Sequence, residues 1–73
     1  MKFGIYEHYK KKRYRAIGVA RHSETMEEMV VYQALYDSKE FGDQAFWVRP
    51  KALFLEEIEI DGRRVPRFRY IGE

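Results

Sequence analysis

Short runs of β-branched and aromatic residues, separated by polar or Gly-containing punctuation, recur along the chain and predict an all-β fold. The first strong run, residues 14–22, sets Ile17 and Val19 on one side and Tyr14, Ala16, Gly18 and Ala20 on the other. Both faces are apolar or small, which suits a central strand, and Gly18 marks a bend or a close backbone approach. A polar connection over residues 23–27 leads into residues 29–36, the most β-prone stretch, and the two runs should pair antiparallel. A helix over residues 24–35 would gather Met26, Met29, Val30 and Gln33 on one face. It is rejected because Val30-Val31-Tyr32 is a β-branched and aromatic cluster, and Tyr36 continues the period-two pattern of Val30, Tyr32 and Ala34.

A polar loop over residues 37–43, carrying Phe41, precedes a run at 45–49 that Pro50 should stop by removing a backbone donor. Residues 50–54 are too few for an independent helix and suit one 3₁₀ turn. Strands are expected over 55–60 and 65–71. Asp61-Gly62 between them is the strongest hairpin signal in the chain. The predicted fold is a small SH3-like, partly open barrel or bent antiparallel sheet of about five strands, forming one domain over residues 1–73.

Read in order, Tyr6-Glu7-His8-Tyr9-Lys10, Tyr14, Ala20-Arg21-His22-Ser23-Glu24-Thr25, Val30-Val31-Tyr32-Gln33-Ala34-Leu35-Tyr36 and Trp47-Val48-Arg49-Pro50 form a recognisable pattern. With Phe54-Leu55 and Asp61-Gly62-Arg63-Arg64-Val65-Pro66-Arg67-Phe68 it resembles DUF1653, a family of small, mostly bacterial proteins of unknown function. The resemblance spans nearly the whole chain and carries no activity, substrate or catalytic residue with it. One departure is Lys11, where the family often has Gly. Ala34-Leu35-Tyr36-Asp37 also looks like the ALYD motif of SH3 domains. There, however, the motif lies on the opening strand, well before the Trp, whereas here it is mid-chain and close to Trp47.

Composition narrows the function classes. Among 73 residues there are six Tyr, five Phe, one Trp and no Cys, so aromatic packing must stabilise the fold without disulfides or thiolate sites. No apolar run spans a bilayer, and residues 1–9 lack the features of a signal peptide; the expected location is the cytoplasm, with no membrane partner. Fourteen Lys and Arg against twelve Asp and Glu give a net charge of +2, and the pI is near 9.0. With charges this closely balanced, only spatial clustering of the cations would make a footprint for phosphates.

The expected function is that of a non-catalytic module that binds a protein or peptide, as monomer or homodimer, with no cofactor. Its candidate contact residues are Tyr32, Tyr36, Trp47 and Arg49, since Tyr, Trp and Arg dominate binding hot spots. Trp47 should face opposite to Phe46 and Val48; if those two fill the interior, Trp47 and Arg49 lie outside. The alternative is RNA or single-stranded nucleic-acid binding through Tyr9, Lys10, Lys11, Lys12, Arg13 and Arg15, cations on phosphates with a Tyr stacked on a base. The arginines of residues 63–69 do not extend that footprint. The Asp61-Gly62 turn lays them against Glu56, Glu57 and Glu59, and such cross-strand pairs contribute roughly 0.2–1 kcal/mol each. A small hydrolase or metal-dependent enzyme using His8 or His22 is a distant third reading: these two with Glu24 and Glu27 match no zinc spacing, and Ser23 beside His22, with Asp37 or Asp43, makes a poor nucleophile set because adjacent strand residues point to opposite faces.

Overall fold

The computed structural model describes all 73 residues. Strands β1 (Gly4–His8), β2 (Arg13–Arg21), β3 (Glu28–Ala34), β6 (Phe46–Pro50) and β9 (Phe68–Gly72) form one antiparallel sheet in the order β6-β3-β2-β1-β9. No barrel closes, so of the two expected architectures it is the open sheet that forms. Two ribbons lie outside it: β4 (Asp37–Ser38) with β5 (Gly42–Asp43), inside the predicted polar loop, and β7 (Glu57–Ile60) with β8 (Arg63–Pro66).

Residues 14–22 and 29–36 do pair antiparallel, as β2 and β3, but the register slips between Ala16 and Gly18. This bulge ends the simple alternation expected for β2: Ala16 faces the core, Gly18 moves to the opposite side beside Val31, and Val19 lies opposite Val30. Gly18 thus marks a bend, as its position suggests, and no close approach, because an added Cβ there would meet nothing within 4 Å. The genuine close approach is at Gly4 in β1, a strand that the run pattern does not single out. Its φ is +136°, and a Cβ would lie 2.6 Å from the Gly72 carbonyl oxygen on β9.

The core occupies one face of the sheet and is mostly aromatic. Tyr6, Ala16, Val30, Tyr32 and Phe68 are buried there beneath Phe54, with Tyr14, Trp47 and Tyr70 packed around them. Phe54 comes from α1 (Lys51–Phe54), a single turn closed by a Leu55 N–H to Lys51 C=O bond of 3.0 Å. The expected 3₁₀ turn is therefore an α turn, followed by a 3₁₀-type bond from Glu56 N–H to Leu53 C=O. Its role is to drop one ring onto the sheet: Phe54 stacks on Phe68 at 4.2 Å and meets Tyr6 and Tyr32 edge-on at 5.2 and 5.3 Å.

The Asp61-Gly62 hairpin forms as expected, with Ile60 opposite Arg63 and positive φ at both turn residues, +52° and +78°. Glu59 faces Arg64, and the ion pair Arg64–Glu57 runs diagonally at 3.2 Å. The final run is not one strand. It breaks at Arg67, whose guanidinium binds Glu56 at 2.8 Å while its backbone serves Glu56 and Tyr9, so β8 stays with β7 and β9 crosses to β1.

Candidate functional site

Strand β6 is an edge of the main sheet, and its alternation decides which side chains are offered to solvent. Trp47 and Arg49 point to the core side: Trp47 packs on the core cluster and against Phe41 at 4.9 Å, and the Arg49 guanidinium lies 5.5 Å from the Phe68 ring. Phe46 and Val48 therefore face outward, 67% and 60% exposed. They do not fill the interior, so the condition that would have placed Trp47 and Arg49 outside fails. The physical reason is Phe54: its ring sits over the Val30, Tyr32 and Phe68 side of the sheet and makes that side the interior.

The four candidate contact residues separate accordingly. Tyr32 is only 6% exposed and belongs to the core, which corrects the expectation that it lies at a contact surface. Burial raises its pKa, an effect that the Arg49 guanidinium partly offsets. Tyr36 is half-buried and shares a 2.6 Å hydrogen bond with Tyr14, with Lys12 over its ring at 4.4 Å. Burial, then the bond to Tyr36, raises the Tyr14 pKa well above the ordinary tyrosine value. The Trp47 indole N–H is buried without a hydrogen-bond partner, a cost of about 1–3 kcal/mol.

Two other surfaces carry more. On the outer face of the sheet, Val48 lies opposite Val31, which lies opposite Gly18, and Phe46 lies opposite Gln33. Ile17, at the bulge, is also exposed. Because Gly18 has no side chain, the apolar stripe from Val48 through Val31 is left uncovered on that side. The backbone phase of β6 matters equally. The Ala34 N–H to Ala45 C=O bond marks that pair as hydrogen-bonded. By alternation, Tyr32/Trp47 and Val30/Arg49 are hydrogen-bonded pairs too, and Phe46 and Val48 aim their N–H and C=O groups away from the sheet. Pro50, next in that series, has no donor to leave free.

The second surface is a pocket of about 430 Å³ between the first turn and the β7–β8 hairpin. The turn is closed by Lys11 N–H to His8 C=O at 2.7 Å, with Lys11 at φ +76°, the position where a Gly is favoured. Its lining includes His8, Tyr9 and Lys11 from the turn, Arg63, Val65 and Pro66 from the hairpin, and Glu7 with Arg69 between them. Glu7 holds Arg69 at 3.1 Å and Arg13 at 3.5 Å; the Arg69 hydrogen bond is the largest of the effects that lower its pKa. His8 accepts an N–H from Lys10 on Nδ1 at 3.2 Å. Its pKa is lowered by burial first and then by Arg49, Arg67 and Lys10.

The basic run does not act as one stripe. Lys10 lies beside the Tyr9 ring at 5.8 Å, Lys11 lines the pocket, Lys12 covers Tyr36, and Arg13 turns to Glu7. Arg15 sits on β2 between Ile5 and Gln33. The pocket itself was beyond sequence reasoning, since its walls are brought together by the break at Arg67. His22 and Ser23 form no nucleophile pair: His22 Nδ1 accepts the N–H groups of Glu24 and Thr25 at 3.2 and 3.4 Å and so serves the β2–β3 turn. No three His, Asp or Glu side chains cluster as metal ligands, and no helix is long and apolar enough to cross a membrane.

An open five-stranded sheet plugged by one aromatic turn, with a bare edge strand and a side pocket, defines a small all-β domain. The family model for the protein of unknown function DUF1653 matches residues 4–70, and the chain belongs to that family. It is also similar over 99% of its length, at 35% identity and a TM-score of 0.88, to the crystal structure of a protein belonging to DUF1653 from Bordetella bronchiseptica, of which the match covers 88%. No curated protein matches the chain.

Proposed function

We propose that this protein is a non-catalytic module that binds an extended, apolar peptide segment as an added strand along β6. The observation that carries this reading is the coincidence on one edge of two exposed apolar side chains, Phe46 and Val48, with backbone N–H and C=O groups aimed outward at the same two residues. Strand addition uses both: main-chain hydrogen bonds supply affinity, and alternate side chains supply specificity. Edges of this kind are commonly blunted by charge or Pro; here Pro50 protects only the end of the strand. The contact set expected from composition thus moves by one residue along β6, from Trp47 and Arg49 to Phe46 and Val48. Trp47 supports the strand from the core side.

The test is selection of displayed random decapeptides against the folded chain, followed by hydrogen exchange. Enriched peptides should alternate apolar residues, protect the Phe46 and Val48 amides from exchange, and fail to bind a Phe46→Glu, Val48→Glu variant that retains its circular dichroism spectrum. Protection that appears without peptide and grows with protein concentration would indicate self-pairing of β6 and overturn the reading, as would peptides that bind the double variant equally well.

A further inference from the structure

We infer that the pocket between the first turn and the β7–β8 hairpin binds a nucleotide, held by its phosphate. Lys11 and Arg63 reach it from opposite walls, both are exposed, and neither is held in an ion pair, so both side chains can turn to a ligand. Glu7 also attracts Lys11, but its carboxylate carries one charge against the three cations Lys11, Arg13 and Arg69, and it is bonded to the two arginines. The remaining acid at the rim, Asp61, is exposed at the hairpin tip. The same cavity has aromatic and apolar walls: His8 and Tyr9, whose rings pack on each other at 4.4 Å with a 35° tilt, on one side, and Val65 with Pro66 on the other. An inorganic anion would use the cations and leave these walls idle. A phosphate attached to a planar base uses both, by charge-assisted hydrogen bonds and by stacking. The volume of about 430 Å³ lies within the range of about 300–1,000 Å³ usual for small-molecule sites.

The division of the basic run supports a compact site rather than a groove that follows a long strand. Of Tyr9, Lys10, Lys11, Lys12, Arg13 and Arg15, only Tyr9 and Lys11 line the pocket, and Arg63, from the distant hairpin, completes it. The nucleotide could be free or a unit of a single strand, and the experiment separates the two.

The experiment is a two-dimensional NMR titration of the labelled chain with adenosine 5′-monophosphate, adenosine, inorganic phosphate, phosphotyrosine and a short single-stranded oligoadenylate. Adenylate should shift the amides of Tyr9, Lys11, Arg63 and Val65, with adenosine and phosphate each markedly weaker. Lys11→Gln and Arg63→Gln should each weaken adenylate binding about tenfold while leaving the rest of the spectrum in place. Lys11→Gly, which suits the backbone of the turn, gives the same loss without strain. A free nucleotide as ligand makes the oligonucleotide no tighter than adenylate. A strand as ligand makes it tighter, with a steeper salt dependence and the same sensitivity to Arg63→Gln. No site-specific shifts, equal binding of phosphate alone, equal binding of phosphotyrosine, or indifference to both charge-removing variants would each overturn the inference.

Discussion

Phe54 and Phe46 carry the same side chain at opposite extremes of exposure, 1% and 67%, and replacing each by Ala tests which face of the sheet is the interior. At position 54 the substitution removes a ring stacked on Phe68 at 4.2 Å and edged by Tyr6 and Tyr32, contacts that bridge strands β1, β3 and β9. A buried Phe→Ala change costs about 3–5 kcal/mol, transfer and cavity together. At position 46 only about a third of the residue is covered. Fully burying a Phe is worth about 1.5–3 kcal/mol, so Phe46→Ala should cost about 0.5–1 kcal/mol. A chain of this length has about 4–11 kcal/mol to lose, so Phe54→Ala removes about a third or more of it, and all of it at the low end, whereas Phe46→Ala stays close to the parent. Urea unfolding reads both, followed by the fluorescence of Trp47, the single Trp, and by far-ultraviolet circular dichroism, whose transitions should coincide. If Phe46→Ala costs as much as Phe54→Ala, or Phe54→Ala costs less than about 1 kcal/mol, the assignment of the interior and the exposed β6 edge fall together.

Two further outcomes follow from the first turn. The folded-state pKa of His8 is held below its ordinary value of 6.5, so the unfolded chain takes up the proton first as the pH falls. The stability contributed by neutral His8 is complete above about pH 6.5–7 and is lost as the pH drops from there through the lowered folded-state value. Urea midpoints from about pH 7.5 to 5 should decline in the parent and flatten in His8→Gln; a flat parent profile would remove the electrostatic account of this site. Lys11 at φ +76° carries a left-handed cost of about 1–2 kcal/mol, partly offset in a Gly variant by about 0.4–1 kcal/mol of unfolded-state entropy. Lys11→Gly should therefore stabilise the domain by about 0.5–1 kcal/mol in the same urea assay, and a loss of stability would show that the side chain holds the turn.

Local pattern alone determined much of this protein. The β-branched and aromatic runs established the all-β class and the antiparallel pairing of β2 with β3. Asp61-Gly62 established a tight hairpin, because its geometry depends on two adjacent residues that accept positive φ. Alternation along residues 45–49 established that Phe46 and Val48 oppose Trp47 and Arg49, but parity does not say which side faces inward. That was decided by Phe54 descending from α1 onto one face, a contact between segments that no window of neighbouring residues contains. The same limit applies to β1, whose place depends on β9 at the far end of the chain and on the closeness of Gly4 to Gly72. It applies to the pocket as well, since Lys11 and Arg63 line one cavity only because the last run breaks at Arg67, which pairs with Glu56. A sequence records the period of its side chains; the sign of each face, and the company each charge keeps, follow from packing at a distance.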